Sequence, residues 1–386
     1  MDETVGIWFV GARGSLATTA TLGVHALASR LTGTTGCVTE LAEIGGPGLV
    51  GYDKLVTGGH DVTDLPLRKR AEQLVAGGVV PAGLVEAMPA ELAAADARIV
   101  HGTRDTDDQP GTIGRLADDI GDFAEKSGAD RVVVVDVSST EPPHDAGPDG
   151  ASWSALETAW SEGRSPLAPS SLYACAALSA GCSYVGFTPS AGIDVPALHE
   201  LAHRRRVPYA GRDGKTGETL VKSALAPMFA ERALAVRSWT SVNLLGGGDG
   251  ETLADEGAAS SKTNTKQHGL EAIVGGHVDG PMHIDYVEDL GDWKTAWDHV
   301  RFDGFLGARM TLQFTWQGCD SALAAPLVLD LVRLVARAHA LGDTGALPAL
   351  GFFFKAPLAS DEHRLPQQWD ALRRWAAECG ERVDSP

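Results

Sequence analysis

Lysine is scarce in this chain, and the few lysines are unevenly distributed. The 32 basic residues comprise nine lysines and 23 arginines. Five lysines fall between residues 215 and 294: Lys215, Lys222, Lys262, Lys266 and Lys294. A lysine ammonium is a compact charge with three donors and a pKa that burial can lower, which arginine does not offer. The group indicates phosphate or carbonyl chemistry, although any single lysine is more often a solvated surface residue.

These lysines stand in or beside segments rich in glycine and aspartate. GRDGKTGETLVKS puts Asp213 and Lys215 in a loop, with Lys222 about two helical turns further on. Downstream come NLLGGGDG with Asp249, SSKTNTK with Lys262 and Lys266, and GDWKTAWD with Asp292, Lys294 and Asp298. Lys262 and Lys266 share a face if their segment is helical. Ammonium groups in such loops suit phosphate and carbonyl oxygens.

A glycine-rich turn follows the first apolar run of the chain. Val5 to Val10 reads VGIWFV and leads into GARGSLA, which opens a segment with helical apolar spacing. Backbone amides at such a strand–turn–helix junction can hold a pyrophosphate. Gly11, Ala12, Gly14 and Ser15 are the candidate contacts. Ala17 replaces the third glycine of the GxGxxG pattern, and a tight turn can also need glycine for purely structural reasons.

An acidic side chain at the end of a later strand commonly binds the adenosine ribose of a dinucleotide. Glu40 and Asp61 are the candidates, and the glycine-flanked segment GGHDVT around Asp61 favours close approach of a ligand. Either carboxylate could instead be a helix cap, which is the commoner role of an aspartate before Thr63 and Asp64.

Polar residues also follow a second apolar run, Arg131 to Val137. They are Asp136, Ser138, Ser139, Thr140 and Glu141. Ligands of doubly wound sheets lie beyond the carboxyl ends of the strands, so these hydroxyls could reach a cofactor or a sugar. A capped turn explains the same residues equally well.

The order of the predicted elements indicates an α/β domain in the first half of the chain. The run RVVVVDV is typical of a strand buried on both faces of a parallel sheet. A helix from about Ser170 to Gly181 and a strand from Tyr184 to Phe187 come next. The alternation of strand and helix to about residue 210 predicts a doubly wound parallel sheet.

The pattern changes after residue 210. Residues 235–245, 280–287 and 309–316 alternate in polarity, which predicts an open sheet with one covered face and hence a second, α+β domain. A helix from about Asp320 to a stop at Gly342 could return to the first domain. The chain after Ser360 is interpreted as a polar, frayed tail.

Composition excludes several classes of protein. A formal net charge of −19 repels nucleic acid, which we do not expect as a partner. No apolar run reaches the roughly 18 residues of a membrane-spanning helix, and no secretory signal is evident, so a cytoplasmic protein is expected. The five scattered cysteines lack the close paired spacing of a zinc site or a disulfide framework, and we expect reduced, mostly buried thiols.

Taken together, the motifs resemble the myo-inositol-1-phosphate synthase (inositol-3-phosphate synthase) family. The resemblance runs through GARGSLATTA, GGHDVT, DVSSTE, SSLYACAALSAGCSYVGFTPS, GRDGKTGETLVKS, NLLGGGDG, SKTNTK, GDWKTAWD, CDSALAAPLVLDL and FFKAPL. It implies a Rossmann-like NAD-binding domain at residues 1–210, completed by about 318–386. It also implies a catalytic and oligomerisation domain at 211–317, a homotetramer, and NAD as the cofactor.

The resemblance further implies a reaction and a set of site residues. Glucose 6-phosphate would be oxidised at C5, enolised at C6, closed by an intramolecular aldol step and reduced to inositol phosphate, with the substrate phosphate as candidate base. The catalytic set is Lys215, Lys222 and Lys294, with Asp249 and Lys262. The cofactor set is Gly11, Ala12, Gly14, Ser15, Asp61, Ser138, Ser139, Thr140 and Asp213. Thr188 and Ser190 would meet the sugar phosphate together with the three lysines.

The sequence departs from the family pattern near the sugar. Glycines precede Asp249 where better-known members carry asparagines, and Leu220 stands where some carry a lysine. Buried amide contacts of this kind can be worth about 1–3 kcal/mol each, so their loss bears on the choice of substrate. Fructose 6-phosphate as substrate, a simple NAD-dependent dehydrogenase and a non-catalytic nucleotide-sensing protein stay open as alternatives, and so does a metal requirement.

Overall fold

The computed structural model describes residues 3–104, 107–246, 271 and 273–384. Its strands are β1 (Val5–Val10), β2 (Leu55–Asp61), β3 (Ile99–His101), β4 (Arg131–Asp136), β5 (Ser183–Gly186), β6 (Pro208–Gly211), β7 (Ala235–Leu245), β8 (Met282–Tyr286), β9 (Trp293–Asp303), β10 (Arg309–Cys319) and β11 (Gly345–Ala346). Its α-helices are α1 (Ser15–Ala28), α2 (Leu67–Ala76), α3 (Ala82–Ala87), α4 (Pro89–Asp96), α5 (Gln109–Ser127), α6 (Trp153–Ser161), α7 (Pro169–Ser179), α8 (Pro196–Arg205), α9 (Gly217–Glu231), α10 (Asp320–Ala340) and α11 (Leu365–Asp384).

Seven strands form one parallel sheet in the order β11-β6-β5-β4-β1-β2-β3. Without β11 this is the strand order of dinucleotide-binding domains. All six residues of β1 are buried because helices cover both faces of the sheet. Ile7 packs in a core with α1, α10 and α11, whereas Trp8 packs with α5, α7 and α8 on the other face. The predicted Rossmann-like, doubly wound sheet is confirmed.

A second, mixed sheet has the order β10-β9-β7-β8. β9 is antiparallel to both of its neighbours, and β8 runs parallel to β7. Helix α9 covers one face, where Phe229 packs with Trp239 and Val300. Helix α10 then returns to the first sheet, where Leu331 and Val335 lie in the same core as Ile7.

Two parts of this architecture differ from the sequence-based expectation. Strand β9 adds a fourth strand to the three expected in the second sheet. The segment after Ser360 is not a frayed tail, because residues 365–384 form helix α11. Its apolar side chains recur at helical spacing, and Leu372 and Ala376 are buried in the core beneath the first sheet.

Within the described residues, no helix is long and apolar enough to cross a bilayer. All five cysteines are buried and unpaired, as expected. The described residues contain no group of three or more histidine, cysteine or carboxylate side chains that could hold a metal ion.

Candidate active site

The glycine-rich turn lies at the carboxyl end of β1, against the turn that follows β4. Gly11 has φ +86°, and a Cβ atom there would lie 3.0 Å from the Cα of Ser138. Only glycine combines that backbone conformation with so close an approach. Gly14 is the N-cap of α1, which has no side-chain cap and no acidic residue in its first turn. The turn therefore presents a helix N-terminus suited to an anion.

The backbone of the turn is hydrogen-bonded to His60, a residue that the sequence did not single out. Its carbonyl oxygen accepts hydrogen bonds from the N–H groups of Gly11 (2.9 Å) and Ala12 (3.1 Å). Its ring is buried, with Nδ1 accepting from Trp8 Nε1 at 2.9 Å and Nε2 lying 3.0 Å from Asp119. Burial lowers the pKa of His60 to about 4, so this support is neutral near pH 7.

Asp61 ends β2 and uses its carboxylate within the same turn. One oxygen accepts from the Arg13 N–H at 2.6 Å, and the other accepts from the Thr63 N–H at 2.9 Å. This is a capping role, and contact with a ribose stays a prediction. Glu40 was the other candidate, but it lies in a 3₁₀ turn rather than at a strand end and pairs with Arg333 at 2.6 Å. The expectation that Glu40 lies at the end of a strand was wrong.

The polar residues after β4 form a capped turn at the sheet edge. Asp136 is fully buried and accepts from the Ser138 N–H at 3.0 Å and from the Tyr184 hydroxyl at 3.1 Å. Burial raises the pKa of Asp136 above its ordinary value. Glu141 accepts from the Ser170 N–H at 2.9 Å, at the start of α7. Ser139 is exposed and Thr140 is buried.

The loops after β5 and β6 continue along the same edge. Thr188 and Ser190 are buried, their hydroxyl oxygens lie 3.0 Å apart, and the Ser190 hydroxyl accepts from the Glu141 N–H at 3.0 Å. The Asp213 N–H donates to the Thr188 carbonyl at 3.2 Å. The sheet places four strands side by side in the order β6-β5-β4-β1. The residues that follow these strands therefore line one crevice at the carboxyl ends of the sheet.

Asp213 bonds to a lysine that the sequence analysis did not single out. Lys355 Nζ donates to Asp213 Oδ1 at 2.8 Å, and the Lys355 N–H donates to the Asp213 carbonyl at 2.7 Å. Both side chains are nearly buried. Asp213 Oδ2 is also buried and accepts no hydrogen bond within the described chain. The segment FFKAPL, one of the family-like motifs, contains Lys355. Its pairing with Asp213 could not be predicted, because the two residues meet only through the fold of the chain.

Lys215 is buried beside this pair, with 5% of its surface exposed. Its N–H donates to the Phe353 carbonyl at 2.8 Å. Its ammonium donates to the side-chain oxygen of Gln368 on α11 and lies 5.9 Å from the centre of the Phe352 ring. Burial lowers the pKa of Lys215 to about 7, so at neutral pH the amine can both accept and give a proton.

Lys222 lies on α9 and is bound within the second sheet. Its ammonium contacts Glu218 Oε1 at 2.6 Å, the Ser241 hydroxyl at 2.7 Å and Asp298 Oδ1 at 3.3 Å. These three acceptors match the three donors of an ammonium group. Burial raises the pKa of Asp298, with Lys222 opposing that rise. The i,i+4 spacing of Glu218 and Lys222 was visible in the sequence, and the partner on β9 was not.

Lys294 lies four residues before Asp298 on β9, and both side chains are on the same, buried face of the strand. It is 9% exposed, and its ammonium lies 3.8 Å from Asp320 Oδ2. The other Asp320 oxygen accepts from the Thr216 hydroxyl at 3.1 Å, directly before α9. Lys294 therefore lies near the N-terminus of α9. The N-cap residue of that helix, Thr216, directly follows Lys215 in the chain. Asp249, Lys262 and Lys266 lie outside the described residues.

A family model described as myo-inositol-1-phosphate synthase matches residues 5–376. The chain belongs to the myo-inositol-1-phosphate synthase family. It is 30% identical over 400 residues to inositol-3-phosphate synthase 1 of Bacteroides thetaiotaomicron, covering 96% of this chain and 93% of the relative.

Solved structures support the fold of this family. Inositol-3-phosphate synthase from Caenorhabditis elegans superposes with a TM-score of 0.84 at 21% identity, covering 98% of this chain and 86% of that one. A myo-inositol-1-phosphate synthase-related protein from Thermotoga maritima gives 0.77 at 22% identity, covering 97% and 98%.

The cofactor of the family is NAD, and the turn at Gly11 fits it. The missing Cβ of Gly11 leaves room for close approach, and the uncapped start of α1 can receive a pyrophosphate. The buried hydroxyl of Thr18, in the first turns of α1, has no hydrogen-bond partner within the described residues. We therefore describe the chain as an NAD-dependent member of the myo-inositol-1-phosphate synthase family.

Proposed function

We propose that this protein converts glucose 6-phosphate to myo-inositol 1-phosphate by oxidation, enolisation, intramolecular aldol closure and reduction. The observation that carries the proposal is a set of buried or nearly buried lysines, Lys215, Lys294 and Lys355, around the loop that follows β6 at the carboxyl ends of the first sheet. Bound NAD would take a hydride from the sugar and give it back. The intermediates between those events carry a ketone or an enolate oxygen at C5.

The residues of this chain would act on the oxygen atoms and protons of the sugar. Lys215, which can exchange a proton near neutral pH, would take the C5 hydroxyl proton during oxidation and return it during reduction. Lys294 and Lys355 would stabilise the enolate and alkoxide oxygens, because fixed ammonium groups act strongly in a site that excludes water. The substrate phosphate is kept as the candidate base for C6.

Lys222 and Asp213 are given roles that differ from those implied by the family resemblance. Lys222 is proposed to hold Glu218 and Asp298 in place, since its three donors already have acceptors. Asp213 is proposed to orient Lys355. Gly11, Ala12, Gly14, Ser15, Ser138, Ser139 and Thr140 are proposed to contact NAD, and Thr188 and Ser190 to border the sugar phosphate. Asp249 and Lys262 keep their proposed catalytic roles.

The proposal includes domain roles and assembly. Residues 1–210 with about 318–386 would bind NAD, and residues 211–317 would supply catalytic lysines and subunit contacts in a homotetramer. Five buried, unpaired thiols are in keeping with a reducing compartment such as the cytoplasm.

Phosphorus NMR of reaction mixtures tests the proposed reaction. Purified protein with NAD is incubated with glucose 6-phosphate or with fructose 6-phosphate, while NADH absorbance is recorded. The proposal expects an inositol phosphate signal from glucose 6-phosphate and almost no accumulated NADH. Turnover of the ketose alone would assign a different carbocycle, and steady accumulation of NADH would indicate a simple dehydrogenase.

A further inference from the structure

Four lysines of the described residues are buried or nearly buried, and they differ in the partners of their ammonium groups. Lys222 contacts two carboxylates, at 2.6 Å and 3.3 Å. Lys355 contacts the carboxylate of Asp213 at 2.8 Å, and Lys294 lies 3.8 Å from that of Asp320. Lys215 instead donates to an uncharged amide oxygen, that of Gln368. Within the described residues, Lys215 is thus the one lysine of these four whose ammonium group contacts no carboxylate.

Gln368 is itself held in one orientation. It is 3% exposed, and its side-chain Nε2 donates to the Glu362 carbonyl at 2.6 Å. An amide has its donor and acceptor on opposite branches, so this bond turns the oxygen towards Lys215. The bond also makes the assignment of oxygen and nitrogen unambiguous. Gln368 lies in the first turn of α11, whose apolar face is anchored in the core through Leu372 and Ala376.

Carboxylates near Lys215 have other partners, and Asp320, which accepts from the adjacent Thr216 hydroxyl, lies 3.8 Å from the Lys294 ammonium. Asp213, two residues away, pairs with Lys355 at 2.8 Å. Glu362, which precedes α11, accepts from Arg364 through both its carboxylate oxygens. An uncharged neighbour, the Phe352 ring, has its centre 5.9 Å from the Lys215 ammonium. None of these contacts supplies an ion-pair partner to Lys215.

We propose that Gln368 is a positioning residue that orients Lys215 in the site through an uncharged acceptor in place of a carboxylate. Lys215 is for that reason the lysine that exchanges a proton. This inference rests on the proposed function, because it assigns one role within that reaction. An uncharged acceptor orients the amine by a hydrogen bond and leaves both of its protonation states accessible. A carboxylate in the same place would hold the amine as an ammonium ion.

The direction of the effect on pH dependence follows from this geometry. Burial of Lys215 without a counter-ion lowers its pKa to about 7. A carboxylate at position 368 would stabilise the charged form and raise that pKa by about 1–3 pH units. The limb of the kcat profile that requires the neutral amine would then move to higher pH by the same amount.

The test compares the wild-type protein with Gln368→Glu, Gln368→Met and Ala377→Glu. Ala377 is exposed on the same helix, so its variant adds an equal charge away from the site. The titration of Lys215 is followed by competitive acetylation with acetic anhydride across a pH series, read by peptide mass spectrometry. The pH profile of kcat is measured in parallel, and thermal unfolding checks that each variant is folded.

We expect Gln368→Glu to raise the midpoint of Lys215 acetylation by at least one pH unit and to move the kcat limb with it. Gln368→Met keeps a side chain of similar size but lacks the acceptor oxygen. It is expected to lower kcat at least tenfold without raising the midpoint of Lys215 acetylation. Ala377→Glu should match the wild-type protein. An unmoved midpoint in folded Gln368→Glu, or full activity in Gln368→Met, overturns the proposal.

The two proposals fail separately in this design. A shifted acetylation midpoint without any cyclised product in the wild-type protein would keep the Gln368–Lys215 pairing and remove the proposed reaction. Cyclised product with an unmoved midpoint in Gln368→Glu would keep the reaction and remove the role of Gln368.

Discussion

Gly11 lies where the turn after β1 packs against the backbone of the turn after β4. A side chain there would meet the Ser138 backbone at 3.0 Å, and the φ of +86° disfavours any L-residue. Backbone strain of this kind costs of the order of 1–3 kcal/mol. Adding one methyl group should therefore distort the surface that receives the dinucleotide.

We expect Gly11→Ala to weaken NADH binding at least tenfold, which corresponds to about 1.4 kcal/mol. Fluorescence titration with NADH measures the effect. Gly33→Ala is the matched control, because a Cβ at Gly33 has no heavy atom within 4 Å and no positive φ opposes it. Equal affinities of the two variants and the wild-type protein would contradict the assignment of the turn.

Lys222 is the only cation shown in contact with two fully buried carboxylates, Glu218 and Asp298, within the described residues. Burial already raises the pKa of Asp298 above its ordinary 3.8. A folded-state pKa above the unfolded value means that the folded state binds the extra proton. The stabilisation from this proton is complete below the unfolded pKa and is lost as pH rises through the folded pKa.

Lys222→Met should therefore be destabilised in a pH-dependent way. We expect a loss of about 3–5 kcal/mol in unfolding free energy near pH 8, because two buried carboxylates lose their cation. The loss should shrink towards about pH 5 as one carboxyl group takes up a proton. Urea unfolding at the two pH values measures it, with Lys126→Met on an exposed pair as the control. A loss that grows on acidification would be the opposite of this expectation.

At the scale of elements, the sequence was most informative where polarity followed burial. The run VGIWFV is apolar throughout and all of β1 is buried, so strand, turn and helix could be predicted together. In β9 the relation is inverted. Lys294 and Asp298 are buried, whereas Trp293 and Trp297 are 43% and 38% exposed. A strand whose buried face carries the charged site residues does not show the usual alternation, and β9 was missed for that reason.

Helix α11 was missed although its sequence carried a signal. Leu372, Ala376 and Cys379 recur at helical spacing and are buried, but the charged residues between them suggested a tail. Gln368 and Lys355 could not be assigned because their partners lie more than 140 residues away in sequence. Such pairings depend on how the chain returns to the first sheet.

Helix α11 should contribute strongly to stability. Leu372 is fully buried in the core that also contains β1 and α10. We expect Leu372→Ala to lower the unfolding free energy by about 2–5 kcal/mol, the usual cost of a cavity in a core. Denaturant unfolding tests this, with the exposed neighbour Arg373→Ala expected to stay within about 0.5 kcal/mol. Equal stability of the two variants would mean that α11 contributes little to the stability of the core.

At the scale of the whole molecule and within the described residues, helix α9 covers one face of the second sheet, and the opposite, open face carries the partly exposed Trp293 and Trp297. Helix α9 packs on the face that carries Lys294 and Asp298. Trp297 points to the other face, between Val242 on β7 and Thr315 on β10 in the register of the strands. A sheet face with a partly exposed tryptophan is a candidate for contact with other subunits.

The proposed homotetramer should therefore depend on this face. We expect the wild-type protein to sediment as a tetramer and Trp297→Glu as a smaller species, because a charge at a buried contact lacks a partner. Leu31→Glu makes the same kind of change on the first domain, where Leu31 is 50% exposed, and should leave the tetramer intact. Sedimentation velocity reads the result, and NADH binding shows whether each variant is folded. A monomeric wild-type protein, or a tetrameric Trp297→Glu, would remove the open face from the proposed assembly.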